Sequence, residues 1–73
     1  MAVNPLQEEL LQAISNAEGR CMAYNQIIDM FYSEDISIFT ITHNLNVLVD
    51  RGSLHRYKAV YNGRRQNHYK AAK

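Results

Sequence analysis

The chain has 73 residues, of which 47% are hydrophobic and 21% are charged. This length allows one domain with a small core, and the composition is that of a folded protein rather than a disordered one. The apolar runs are too short to span a membrane, and the first residues lack the basic start and apolar centre of a signal peptide. Cys21 is the only cysteine. It cannot form an internal disulfide, which favours a reducing, cytoplasmic location.

The charges are divided between the two parts of the chain. Residues 1–50 contain seven acidic residues and one basic residue, Arg20, which gives a net charge of −6. Residues 51–73 contain seven basic and no acidic residues, which gives +7. Because aromatic residues are interleaved with these cations, we expect the C-terminal part to bind a polyanion or an acidic partner rather than to form a solvated tail.

Local signals predict a first helix over residues 5–18. Asn4 is suited to the N-cap and Pro5 to the first helical position, and Gln7 is spaced for a capping box. Apolar residues then recur at helical spacing until Gly19 ends the pattern.

A second helix is predicted over residues 24–32, with an apolar face that runs from Tyr24 to Phe31. Residues 20–22 form a short link before it, long enough for a single β bridge. The polar segment 33–35 follows it, and its length fits the turn of a helix-turn-helix.

A third helix is predicted over residues 38–51. Ser37 is placed as its N-cap, and Gly52 lies where the helix stops. The apolar stripe consists of Ile38, Ile41, Leu45 and Leu48, with Val49 beside it. The outer face is uncharged and able to form hydrogen bonds, with the residues Phe39, Thr40, Thr42, His43, Asn44 and Asn46.

After Gly52 the sequence alternates, and Asn62-Gly63 is a strong signal for a tight β-hairpin turn. The hairpin is predicted over residues 54–70. Leu54, Val60 and Tyr69 are expected to pack on the helices, and residues 70–73 are expected to fray. The tyrosines of the hairpin suit cross-strand packing, with stacking on single-stranded bases as an alternative.

The segments Ile36-Ser37, Thr40-Ile41 and Gly52-Ser53-Leu54, together with Leu45, Leu48 and Arg56, resemble the recognition helix and first wing strand of winged helix-turn-helix DNA-binding domains. The resemblance extends over residues 6–70. It implies an α+β fold with a three-helix bundle and a two-stranded antiparallel β wing. It also implies a small stand-alone regulator of the kind common in bacteria, phages and plasmids.

On this basis the third helix is expected to read the major groove of double-stranded DNA. Asn46 suits an adenine edge, His43 a base or a phosphate, Thr42 a thymine methyl and Thr40 a phosphate, while Phe39 suits either thymine methyls or a protein contact. On the wing, Arg64 and Arg65 suit phosphates or the minor groove. The expected DNA-binding set is Ser37, Phe39, Thr40, Thr42, His43, Asn46, Arg56, Lys58, Arg64, Arg65 and Lys70.

No metal, cofactor or small-molecule substrate is expected. His43, His55 and His68 lack the spacing of paired metal ligands, and no phosphate-binding loop or catalytic triad motif is present. The sequence therefore predicts a cytoplasmic, non-enzymatic transcriptional regulator that binds double-stranded DNA. The alternative is a winged helix that binds a protein: an acidic partner, a DNA-bound partner or a second copy of itself.

Overall fold

The computed structural model describes residues 4–72. Its elements, in chain order, are α1 (Pro5–Asn16), a 3-10 turn (Glu18–Arg20), β1 (Cys21–Ala23), α2 (Tyr24–Phe31), α3 (Ile38–Asp50), β2 (Leu54–Tyr61) and β3 (Arg64–Ala71). Three α-helices pack on one antiparallel sheet, so the fold is α+β and compatible with a winged helix. None of the helices within residues 4–72 has the length and apolar character needed to cross a membrane.

Side chains cap the predicted starts of α1 and α3. The Asn4 Oδ1 atom accepts hydrogen bonds from the backbone nitrogens of Leu6, at 2.9 Å, and Gln7, at 3.4 Å. The Ser37 Oγ atom accepts one from the backbone nitrogen of Thr40 at 3.1 Å. These bonds satisfy N–H groups that have no partner within a helix, and each cap contributes about 1 kcal/mol. Both predicted N-caps are therefore confirmed.

The predicted helices extend one or two residues too far at their C-terminal ends. The helix α1 ends at Asn16 because Ala17 has an extended backbone, with φ −73° and ψ 158°. The chain then makes one 3-10 turn in which Gly19 has φ +70°, a conformation that glycine adopts at little cost. The helices α2 and α3 end at Phe31 and Asp50, one residue before the predicted ends.

The sheet has three strands rather than two, in the order β1-β3-β2. The predicted hairpin is present, and β1 adds a third strand to it by pairing with β3. The short link expected before the second helix is therefore part of the sheet. Met22 lies opposite Tyr69 in this pairing, and both side chains are buried.

The core lies between the helices and one face of the sheet. Leu54 and Tyr69 are each 1% exposed and pack in this core, as predicted, but Val60 is 68% exposed. Val60 shares the face of Leu54 but lies six residues farther along β2, opposite Arg65, where no helix covers the sheet. The buried apolar residues of the cluster are Leu10, Ile14, Met22, Ile27, Ile41, Leu45, Leu48, Leu54, Tyr69 and Ala71.

The predicted fraying at residues 70–73 is wrong for the part that the structure describes. β3 extends to Ala71, and the backbone nitrogen of Ala72 donates to the Ser53 carbonyl oxygen at 3.1 Å. Lys73 lies outside the described residues.

Candidate nucleic-acid interface

A ridge of four side chains follows the outer side of α3. Phe39, His43, Asn46 and Asp50 are all exposed, and their spacing of four, three and four residues places them along one line of a helix. Phe39 is the most exposed of them, at 85%. The ridge is therefore free to contact a partner, and it carries no carboxylate before Asp50.

Ser37 and Thr40 lie at the start of α3, beside Phe39 and His43. Their hydroxyl oxygens are 3.0 Å apart, and both residues are exposed. Ser37 has a structural role as the cap, yet the surface of these four residues forms a shallow, open depression. The structure thus places the predicted contacts at this end of α3 together.

Thr42 does not belong to the ridge. Its Oγ1 atom lies 2.8 Å from the Tyr24 hydroxyl oxygen, and its side chain is half-buried between α2 and α3. Its hydroxyl fixes one helix against the other. The position is thus unfavourable for the thymine contact expected of Thr42.

Asn44 was expected on the outer face, and this prediction is wrong. The side chain is only 4% exposed. Its Oδ1 atom accepts hydrogen bonds from Gln7 Nε2, at 2.8 Å, and from Asn4 Nδ2, at 3.3 Å, while its own Nδ2 donates to the Thr40 carbonyl oxygen at 2.8 Å. Gln7 therefore does not close the predicted capping box; it joins α1 to α3 instead.

A signal for this burial was present in the sequence. Positions 41, 44, 45 and 48 follow the i, i+3, i+4, i+7 pattern of a buried helix face, so position 44 belongs with the apolar stripe. The polarity of asparagine masked the pattern. Arg51 extends the same network, since its Nη1 atom donates to Gln7 Oε1 at 3.2 Å.

The hairpin is joined to the ridge by Arg56. Its Nη1 atom donates to the Oδ1 atom of Asn46 at 2.7 Å. The Arg56 guanidinium also lies beside the Tyr69 hydroxyl; burial raises the pKa of Tyr69, and the positive charge and hydrogen bond of Arg56 partly offset that rise. Arg56 therefore bridges the outer side of α3 and the interior of the sheet.

Cross-strand pairing divides the hairpin side chains between two faces. Residues directly opposite each other in an antiparallel pair point to the same face, and successive residues alternate. The helix-side face contains the buried residues Leu54, Tyr69 and Ala71 and, beyond the helices, the cations Arg56, Lys58 and Arg65. The outer face contains His55, Tyr57, Ala59, Tyr61, Arg64, Gln66, His68 and Lys70.

The predicted basic cluster of the wing is therefore split. Arg56, Lys58 and Arg65 share the helix-side face, which Arg56 connects to Asn46. Arg64 and Lys70 lie on the outer face, so they do not join the others. Adjacent arginines on one strand necessarily point in opposite directions.

The tight turn that the sequence predicts at Asn62-Gly63 sets this register. Asn62 has φ +52° and Gly63 has φ +77°, the signs of a type I′ turn. Tyr61 consequently pairs with Arg64, and every pair of the hairpin follows from that contact.

Three aromatic rings form a cluster on the outer face. The rings of Tyr57 and His68 are stacked, with centroids 5.5 Å apart and planes 29° apart. Tyr61 meets the His68 ring edge-on, at 6.5 Å. The pKa of Tyr57 is raised, chiefly by its interaction with the Cys21 side chain on β1 and then by burial.

Within residues 4–72, no three His, Cys, Asp or Glu side chains are grouped closely enough to hold a metal ion. A cleft of about 330 Å³ is lined by Leu11, Ser15, Arg51, Gly52, Ser53 and Ala71, a set without a histidine, cysteine or carboxylate.

The comparison with known proteins shows a similarity of fold. No protein-family model and no curated protein matches its sequence. Among solved structures, the chain is similar to "Stf76 from the Sulfolobus islandicus plasmid-virus pSSVx", with a TM-score of 0.72 and 20% sequence identity over 96% of this chain and 84% of that one. At this identity the likeness concerns the fold alone.

Proposed function

We propose that this chain is a winged-helix protein that binds double-stranded DNA in a sequence-specific manner and acts as a small cytoplasmic transcriptional regulator. In this proposal the ridge of α3 enters the major groove, and the cations of the helix-side face contact the phosphate backbone. The observation that carries it is the Arg56–Asn46 hydrogen bond of 2.7 Å, since it joins the two surfaces.

Asn46 is suited to a base contact by the way Arg56 holds its amide. Arginine has only hydrogen-bond donors, so the amide oxygen must face Arg56 and the Nδ2 group faces away. An outward amide donor fits acceptors on the purine edges of the major groove, such as N7. The amide oxygen keeps a second lone pair, which allows the two-bond contact with adenine.

The helix-side face is suited to binding phosphates because its three cations lie in a part of the chain that has no acidic residues. Arg56 and Lys58 alternate along β2, Arg65 lies opposite Val60 on β3, and residues 51–73 contain no carboxylate. Each phosphate neutralised by a cation releases a counterion from duplex DNA, so binding becomes salt-dependent.

The adjacent arginines of β3 provide a matched test. We expect the purified protein to bind a mixed-sequence duplex, with an affinity that falls as salt rises. Arg65→Ala should weaken binding and reduce the slope of log K against log salt by about one. Arg64→Ala removes an equal charge from the outer face and should leave the slope unchanged. Fluorescence anisotropy at several salt concentrations measures both slopes.

Two results would reject the proposal. One is a wild-type protein that binds no duplex even at low salt. The other is an equal loss of slope in Arg64→Ala and Arg65→Ala, because charge alone, without a defined surface, would then explain the binding.

A protein-binding winged helix is the second candidate, and the exposure of Phe39 favours it. The ring is 85% exposed, with Ile38 beside it at 47%, and large exposed apolar groups are frequent at protein interfaces. Glu34 and Asp35 are also exposed just before α3, where they would repel phosphates. Binding to a protein through this end of α3 should survive Arg65→Ala and be lost in Phe39→Ala.

A further inference from the structure

The outer face of the hairpin combines aromatic rings with positive charge. Tyr57 and His55 are exposed, and the cations Arg64 and Lys70 lie exposed at opposite ends of the same face of β3. β2 and β3 contribute no carboxylate to this face. The core lies on the other side of the sheet, so these exposed residues do not pack in it. The start of α2 reaches this face at Gln66, whose Oε1 atom accepts a hydrogen bond from the backbone nitrogen of Asn25 at 2.8 Å.

Tyr57 presents a ring that is already fixed in place. His68 covers one side of the ring by stacking, with the ring centroids 5.5 Å apart. Tyr57 nevertheless remains 38% exposed, so the ring has a surface open to solvent. A ring held in this way loses little freedom when a flat partner stacks on it.

The His68 ring that stacks on Tyr57 is itself held by a hydrogen bond to the backbone. Its Nδ1 atom lies 3.2 Å from the Gln66 carbonyl oxygen, which can only accept, so Nδ1 carries the proton in that bond. The edge-on contact with Tyr61 places a second tyrosine on the same face, four residues from Tyr57. Strand geometry separates the two tyrosine Cα atoms by about 13 Å.

We propose that the outer face binds single-stranded nucleic acid, with a base stacked on Tyr57 and the sugar-phosphate chain lying between Lys70 and Arg64. Unpaired bases expose the flat surfaces that tyrosine rings accept, and flanking cations attract the phosphates of either DNA or RNA. Duplex DNA lacks exposed base faces and is not the ligand of this surface. The site is thus separate from the proposed duplex surface, on the other side of the same hairpin.

The experiment measures binding of labelled oligothymidylate and oligouridylate, each of about 12 nucleotides, which is within the range of single-strand sites. The two probes distinguish DNA from RNA. Tyr57→Ile keeps a residue that favours strands but removes the ring, and we expect it to weaken binding by about tenfold. Circular dichroism confirms that each variant folds.

The charge variants keep the test decisive if Tyr57→Ile does not fold. Arg64→Ala should weaken single-strand binding and leave duplex binding intact, whereas Arg65→Ala should do the reverse. Single-strand binding that depends on Tyr57 or Arg64 in a protein that binds no duplex would support this site and reject only the duplex proposal.

Three results would overturn the single-strand site. The first is a wild-type protein that binds neither oligonucleotide at low salt. The second is a folded Tyr57→Ile variant with wild-type affinity for both. The third is single-strand binding lost in Arg65→Ala but kept in Arg64→Ala, since the strand would then lie on the helix-side face.

Discussion

The Nη1 atom of Arg56 donates a hydrogen bond of 2.7 Å to the Oδ1 atom of Asn46, which links β2 to the exposed ridge of α3. Both residues are exposed, so the bond adds little to stability. Its main effect is on geometry: it fixes which end of the Asn46 amide points outward and holds the guanidinium beside the helix.

A double-mutant cycle separates these two effects. Asn46→Ala should lower the free energy of unfolding by less than about 1 kcal/mol. Arg56→Ala and the double variant also remove the interaction of Arg56 with the buried Tyr69 hydroxyl, so they should lower it further. On the proposed function, their losses in DNA affinity should be non-additive, because Arg56 orients Asn46. Urea denaturation and duplex binding measure the two quantities. Strictly additive losses of affinity would show that the two side chains act independently.

Selection of binding sites from random duplexes tests the base contact. Asn46→Ala should bind its best sequence less tightly while binding non-specific duplexes almost as well as the wild type, since the phosphate contacts remain. Equal weakening on every sequence would contradict a base-reading role for Asn46.

Asn44 is expected to matter for stability rather than for binding. Asn44→Ala leaves the buried Gln7 Nε2 group without its partner and should lower the free energy of unfolding by about 1–3 kcal/mol. Asn46→Ala, the exposed asparagine of the same helix, is the matched control, with less than about 1 kcal/mol. Urea denaturation compares them, and similar losses would contradict the structural role of Asn44.

Tyr69 should make the protein less stable at high pH. Burial raises the pKa of Tyr69 above its ordinary value of 10.0, so the unfolded chain loses the proton first. The contribution is complete below pH 10.0 and is lost as the pH rises through the folded-state pKa. Tyr69→Phe should therefore show a smaller fall in the free energy of unfolding between about pH 8 and about pH 11.

Other groups also lose protons in this pH range, so a control variant is needed. Tyr32 is 59% exposed, and Tyr32→Phe should follow the wild-type curve. If Tyr69→Phe also followed it, the buried hydroxyl would not be the source of the pH dependence.

Substitutions at the two phenylalanines should differ in their effect on the free energy of unfolding. Phe39→Ala should change the free energy of unfolding by less than about 0.5 kcal/mol, because the ring is 85% exposed. Phe31→Ala removes a half-buried ring that packs against the core and should cost at least about 1 kcal/mol. Thermal or urea unfolding checks both, and a large loss in Phe39→Ala would show that its ring packs in solution.

Much of the fold follows from local sequence signals. The caps at Asn4 and Ser37 act on backbone groups within three residues, and Asn62-Gly63 favours a tight turn through its own backbone conformation. Such features depend on near neighbours, so the three helices and the hairpin could be predicted without knowledge of the rest of the chain.

Features that depend on distant residues were harder to predict. β1 has only three residues, too few for a periodic pattern, and it exists because β3 pairs with it. The partners of Asn44 are Gln7 in α1 and the N-cap Asn4, which lie 37 and 40 residues away. By contrast, the opposite directions of Arg64 and Arg65 could be predicted, because successive residues of a strand point to opposite faces. The expectation that the two arginines act together is inconsistent with this alternation.

The central position of β3 has a consequence for how the domain is assembled. β1 and β2 do not pair with each other, so every cross-strand residue pair of the sheet includes one residue of 64–71. During synthesis, β1 and β2 therefore cannot form the sheet before residues 64–71 have left the ribosome. A nascent chain halted at Gly63 would lack every strand pair of the sheet, and its core would lack Tyr69 and Ala71. Apolar residues such as Leu10, Ile41 and Leu45 would then be exposed to chaperones and proteases.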